Sequence, residues 1–142
     1  MQNNLYVYCD GGARGNPGPG ASAFVVYDNQ NKLVYENGVK IGNVTNNQAE
    51  YQAIINALDW LNTNVENCGV TFYLDSLLIV NQLKRLYKVK DPILKQKFQQ
   101  VLALLQKAGY KIIDYVYIPR EQNSRADFLV NLALDKPHQS LT

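Results

Sequence analysis

Histidine is almost absent: the single one among 142 residues, His138, lies in a polar tail beyond Pro137. Catalytic schemes that pair a histidine base with a serine or cysteine nucleophile therefore lack their base, because nothing in the sequence brings His138 to Ser76 or to either thiol. Cysteine is scarce too. Cys9 lies inside an apolar run and Cys68 in an Asn-Cys-Gly turn, with no C-x-x-C spacing, which argues against a zinc site and predicts two free thiols in a reducing cytoplasm. No stretch approaches the roughly 20 apolar residues needed to cross a bilayer, and the opening Met-Gln-Asn-Asn lacks a basic leader, so no membrane association is expected. Charge of one sign is also lacking: the net charge is +2, so any basic footprint must be local.

What is present describes a globular chain, with 46% apolar and 18% charged residues. A chain of this length buries roughly two thirds of its unfolded surface and needs no disulfide or structural metal, so one domain is expected over 1–142, with 137–142 as a flexible tail. Lys84, Arg85, Lys88, Lys90, Lys95 and Lys97 form one local basic patch. It reads equally well as a solvated helix face or as a surface for a phosphate backbone. Tyr6, Tyr8, Tyr73, Tyr115 and Tyr117 occur in strand-like runs, where aromatic residues are good β formers.

Pattern and punctuation give the element order. Residues 5–9 read as a strand closed by Asp10, after which the run Gly11–Gly20 breaks regular structure. Strands over about 21–27 and 33–41 complete an antiparallel meander. Thr45 and Gln48 form a T-x-x-Q capping box, and Ala49, Ala53, Ile54, Ala57, Leu58 and Leu61 recur at helical spacing. Then follow a strand (70–74), a helix (76–86), a helix starting at Pro92 and ending before Gly109, a strand (112–118) and a helix over 126–134 with Asn123 as candidate N-cap. The order βββαβααβα predicts an α/β fold with a mixed sheet.

In such a sheet ligands gather at the carboxyl ends of the parallel strands. Asp10 and Asp75 both end strands, and if those strands are parallel neighbours their carboxylates repel unless a cation lies between them. Glu50 falls on the core-facing stripe of its helix, where an unpaired charge is costly. Asp127 lies in the first turns of the last helix. Each has a bland explanation: a turn for Asp10-Gly11, an N-cap for Asp75-Ser76, a macrodipole partner for Asp127, an ion pair for Glu50. Together they point to one acidic cluster of hard oxygen ligands suited to Mg²⁺, with Mn²⁺ as substitute. Two such ions would support hydrolysis by in-line phosphoryl transfer without a protein nucleophile. The glycine-rich run lacks G-x-x-x-x-G-K-[ST] and precedes a strand, so it is expected to form a wide hairpin turn rather than a phosphate loop.

The segments Tyr8-Cys9-Asp10-Gly11-Gly12, Thr45-Asn46-Asn47-Gln48-Ala49-Glu50, Leu74-Asp75-Ser76 and Asn123-Ser124-Arg125-Ala126-Asp127 together resemble type 1 ribonuclease H, in the family's order and across nearly the whole chain. The resemblance implies a five-stranded mixed sheet with helices on both faces and a two-metal site formed by Asp10, Glu50, Asp75 and Asp127. It implies hydrolysis of the RNA strand of RNA/DNA hybrids, leaving 5′-phosphate and 3′-hydroxyl ends. Substrate contacts then map onto Gly12, Asn16, Thr45, Asn46, Asn47 and Ser76, with 2′-hydroxyl recognition distinguishing RNA from DNA. Two departures stand out. The loop histidine that many members carry is missing, with Arg120 or Glu121 as its replacement. The tryptophan-rich basic handle is also missing, so Lys88 and its neighbours are expected to hold the DNA strand. A monomer with no protein partner is expected; a non-catalytic hybrid-binding module and a domain of a larger polyprotein are the alternatives.

Overall fold

The computed structural model describes residues 4–136; the expectations for Pro137, His138 and the 137–142 tail lie outside that range. Strands β1 (Asn4–Ala13), β2 (Gly18–Tyr27) and β3 (Leu33–Val44) come first, then α1 (Asn46–Asn64), β4 (Gly69–Leu74), α2 (Leu77–Leu83), α3 (Pro92–Gln106), β5 (Lys111–Tyr117) and α4 (Ser124–Asp135). A short 3₁₀ turn, Arg120–Gln122, precedes α4. The sheet order is β3-β2-β1-β4-β5. β1 pairs antiparallel with β2 and parallel with β4, and β4 pairs parallel with β5. The βββαβααβα order and the mixed five-stranded sheet are thus present.

Strand alternation divides the side chains between two layers. On one face Val7, Cys9, Phe24, Phe72 and Leu74 pack against Ile54, Leu58 and Leu61 of α1, with Ile79 and Val80 of α2 and Leu94 and Val101 of α3 extending the same core. The other face has a smaller core: Ala21, Ala23 and Val25 under Ala126, Leu129, Val130 and Ala133 of α4. Small residues let α4 lie close. A Cβ on Gly38 would stand 2.7 Å from the Leu129 carbonyl oxygen.

Several boundaries differ from expectation, β2 starting at Gly18 rather than about residue 21 and β3 running on to Val44 rather than residue 41 among them. β1 does not end at residue 9; it continues through Gly11 and Gly12, which pair with Ser22 and Ala21, so the expected wide turn shrinks to residues 14–17. Glycine here serves close approach rather than a turn, because a Cβ on Gly11 would lie 2.2 Å from the Ala49 carbonyl carbon. α2 stops at Leu83 rather than Leu86, as Arg85 takes a left-handed conformation (φ 62°) and the Leu86 N–H turns back to the Asn81 carbonyl. α4 starts at Ser124, two residues before the apolar pattern begins.

Candidate active site

β1 and β4 run parallel in register with Cys9 beside Leu74 as the last pair, so Asp10 and Asp75 stand together at the carboxyl edge of that ladder; Asp75 follows the end of β4, whereas Asp10, expected to end β1, stays in the sheet opposite Ala23. α1 crosses that edge at Gly11. Its N-terminus carries the capping box, with Thr45 Oγ1 accepting from the Gln48 N–H at 3.2 Å and Gln48 Oε1 accepting from the Thr45 N–H at 3.1 Å. The cap and the close Gly11 contact set Glu50 one turn into the helix, 6% exposed, over Asp10, 2% exposed. One carboxylate oxygen each from Asp10, Glu50 and Asp75 lies within 4.8 Å of the others.

Asp127, in the first turn of α4, lines the same cavity as Asp10 and Glu50, a space of about 390 Å³ also bounded by Gly12, Arg14, Asn46, Arg120 and Asn131. It stands outside the tight group of three but acts on it electrostatically. Asp10 is pushed up to about 7, first by burial and then by the charges of Asp75 and Asp127, with Arg120 and the Gly11 N–H opposing. Burial, followed by the charges of Asp10 and Asp75, raises Glu50 well above the usual carboxylate range. Asp10 Oδ1 and Glu50 Oε2 are buried without a hydrogen-bond partner. Buried, mutually repelling oxygens with free lone pairs and no histidine or thiolate among them fit a hard divalent cation.

Asn123 is the residue that sequence reasoning misassigned. It occupies the N-cap position of α4, but its side chain caps nothing there. Instead its Nδ2 donates to the Cys9 carbonyl and to Asp75 Oδ2, both at 2.8 Å, from a site 1% exposed. It ties the last helix to β1 and fixes Asp75. Only the position of Asn123 beside the Asp127 segment could have hinted at this.

The expected substrate contacts separate into groups. Gly12, Asn46 and Arg120 line the carboxylate cavity. Asn16 and Asn46 hold one another's segments: the Asn46 N–H donates to Asn16 Oδ1 and the Ala13 N–H to Asn46 Oδ1, both at 2.9 Å. Thr45 and Ser76 are N-caps, Ser76 Oγ accepting from the Ile79 N–H. Asn47 is half-buried on the first turn of α1. Lys88 lies elsewhere, on a second cavity of about 310 Å³ with Gln82, Arg85, Tyr87, Lys95 and Phe98. Within the basic patch Arg85, Lys88 and Lys95 line that cavity, while Lys84 pairs with Asp114 at 3.5 Å and Lys97 donates to Gln52 Oε1 at 2.8 Å. Of the two candidates to replace the loop histidine, Arg120 faces the carboxylates while Glu121 is exposed and lies outside that cavity's lining.

A family model described as RNase H matches residues 2–134. Ribonuclease HI of Halobacterium salinarum is 39% identical over 135 residues, covering 92% of this chain and 64% of that protein. A bifunctional protein of Mycobacterium tuberculosis is 38% identical over 140 residues, 96% of this chain and 37% of that one, so the chain spans under two thirds of either relative. Among solved structures, LC11-RNase H1 in complex with an RNA/DNA hybrid superposes with a TM-score of 0.88 at 42% identity, covering 92% of this chain and 96% of that one. No helix among the described residues is long and apolar enough to cross a membrane.

Proposed function

Since the chain belongs to the ribonuclease H family, we propose that it hydrolyses the RNA strand of RNA/DNA hybrids, with Asp10, Glu50, Asp75 and Asp127 as its catalytic carboxylates. The observation that carries this reading is the trio of crowded carboxylates, two of them with unpartnered buried oxygens, at the carboxyl edge of the parallel strands. A protein that merely gripped nucleic acid would gain nothing from concentrating negative charge where phosphate must lie. The resemblance of the neighbouring LC11 enzyme, which was crystallised with an RNA/DNA hybrid, supports the choice of substrate.

Asp10, Glu50, Asp75 and Asp127 would hold two divalent cations, Mg²⁺ or Mn²⁺. When bound, the pair supplies an activated water and charge neutralisation for in-line displacement, giving 5′-phosphate and 3′-hydroxyl ends. Asn123 keeps one Asp75 oxygen occupied and leaves the other free to ligate. Arg120 carries a guanidinium, which has no acceptor to offer as a base; beside the carboxylates it offsets their charge in the free protein and can hold a phosphate of the substrate or the departing product. Asn16, Thr45, Asn46 and Asn47, at the hairpin tip and the α1 N-terminus, would read the RNA backbone, with Gly12 leaving room beside the carboxylates and Ser76 contributing from the start of α2. Lys88 and the exposed Arg85 and Tyr87 suit the DNA strand. All four carboxylates come from one chain, so a monomer suffices, and the two free thiols fit a cytoplasmic setting.

The test is cleavage of an end-labelled RNA/DNA hybrid beside single-stranded RNA, RNA duplex and DNA duplex, each with Mg²⁺, Mn²⁺ or EDTA. Metal-dependent cutting confined to the hybrid's RNA strand is expected. Tight hybrid binding with no cutting under either metal would instead make the chain a non-catalytic module.

A further inference from the structure

Of the two cations that line the carboxylate cavity, Arg14 and Arg120, Arg14 has no task in the reading above. It sits at the tip of the β1–β2 hairpin, lines the cavity with Asp10, Glu50 and Asp127, and is half exposed. Its guanidinium is turned toward Asp135, with Nη2 at 2.6 Å from Oδ1, rather than toward the carboxylate cluster. Asp135 is the last residue of α4, whose last turn contains no basic residue. A carboxylate there faces the negative end of the helix dipole and is destabilised by it, so the helix itself gives no reason for the acid.

The pair is also a poor staple. Both side chains are well exposed, at 50% and 62%, and exposed ion pairs contribute little to stability. The hairpin is already fixed without it. The Arg14 N–H donates to the Pro19 carbonyl at 2.9 Å, the Ala13 N–H to Asn46 Oδ1, and Asn16 Oδ1 accepts from the Asn46 N–H. The Arg14 backbone is further pinned against Gly18, where a Cβ would lie 2.2 Å from the Arg14 carbonyl oxygen. The side chain can therefore leave Asp135 without moving the loop, and a phosphate, which accepts two parallel N–H bonds and carries more charge, is a stronger partner for a guanidinium.

We propose that Arg14 is a substrate-phosphate contact held in reserve by Asp135, and that the hybrid's backbone phosphate competes with Asp135 for the guanidinium as it settles over the carboxylate cavity. The proposal rests on the hybrid-hydrolysis reading, which puts phosphates over that cavity. It makes Asp135 an antagonist of binding. Removing the acid frees the arginine and tightens binding, whereas removing the arginine weakens it.

The experiment measures the Kd of a labelled RNA/DNA hybrid in Mg²⁺, in a Glu50→Gln background that prevents cutting, as a function of salt. Arg14→Gln is expected to raise Kd about 5- to 10-fold and to reduce the slope of log Kd against log salt by about one, the signature of one lost phosphate contact. Asp135→Asn is expected to lower Kd several-fold, and the double variant to match Arg14→Gln, with melting temperatures nearly unchanged throughout. If Asp135→Asn weakens binding as Arg14→Gln does, with both melting lower, the pair is a loop staple and the proposal fails. Unchanged Kd and salt slope in both variants would overturn it equally. Failure of the unsubstituted protein to bind hybrid at all would instead strike at the functional reading beneath it.

Discussion

Asp10 is held near 7 by burial and by Asp75 and Asp127, and this fixes the sign of a pH effect. A carboxyl whose folded pKa is raised binds its proton more tightly in the native state, so its stabilising contribution is full below its ordinary pKa near 4 and is lost as pH rises through about 7. Without metal the protein is therefore expected to melt lower at pH 8 than at pH 5, by roughly 5–10 °C. Saturating Mg²⁺ should recover the loss at pH 8; a melting temperature independent of pH in EDTA would contradict the crowded-carboxylate account. Asn123 offers a second check. Asn123→Ala leaves the Cys9 carbonyl without its donor and releases Asp75, which is expected to cost about 1–3 kcal/mol of stability and to raise the Mg²⁺ concentration needed for half-maximal cleavage, both readable by melting curves and a metal titration. Asp75 and Glu50 were legible in the sequence because a strand end and a helix stripe follow from local spacing, whereas Asp10 reads as a strand end and in fact lies inside β1, at the point where the parallel pairing with β4 stops. Asn123 was not legible. Its partners lie 114 and 48 residues away, and its task exists only once α4 has returned over the sheet.

At the scale of elements, the order of strands and helices follows from periodicity and punctuation, while two of the misread boundaries turn on the backbone itself: a glycine beneath a crossing helix in β1 and a left-handed residue after α2. Gly11 resembled a strand breaker, yet it continues β1 because α1 passes directly over it. A side chain there would press on the Ala49–Glu50 peptide, with a Cβ 2.3 Å from the Ala49 oxygen and 2.5 Å from the Glu50 nitrogen. Gly11→Ala is expected to destabilise by about 1–3 kcal/mol and, because it displaces Glu50, to reduce cleavage well beyond what the loss of folded protein explains. Full specific activity in the folded fraction would show that Glu50 is positioned by something other than this contact. The end of α2 follows the same logic. Arg85 at φ 62° reverses the chain where a helical stripe read from residue types alone would continue.

At the scale of the molecule, two apolar cores of unequal size clamp the sheet from both faces, and the acidic edge is supported by both: α1 from the larger core contributes Glu50, α4 over the smaller contributes Asp127. This support keeps together charges that would separate if free to do so, a cost in stability retained for function. The net charge of +2 conceals this separation into an acidic cavity and a cationic surface around Arg85, Lys88 and Lys95, which is why composition alone was uninformative about nucleic acid. The most direct measurement compares the unsubstituted protein with Asp10→Asn, recording RNA/DNA hybrid cleavage in Mg²⁺ and melting in EDTA at pH 8 for each. The account predicts opposite movements: cleavage falls by at least about 10³-fold, some 4 kcal/mol of transition-state stabilisation, while the melting temperature rises because a buried repulsive charge has been removed. Retained cleavage, or a lower melting temperature in the variant, would contradict it.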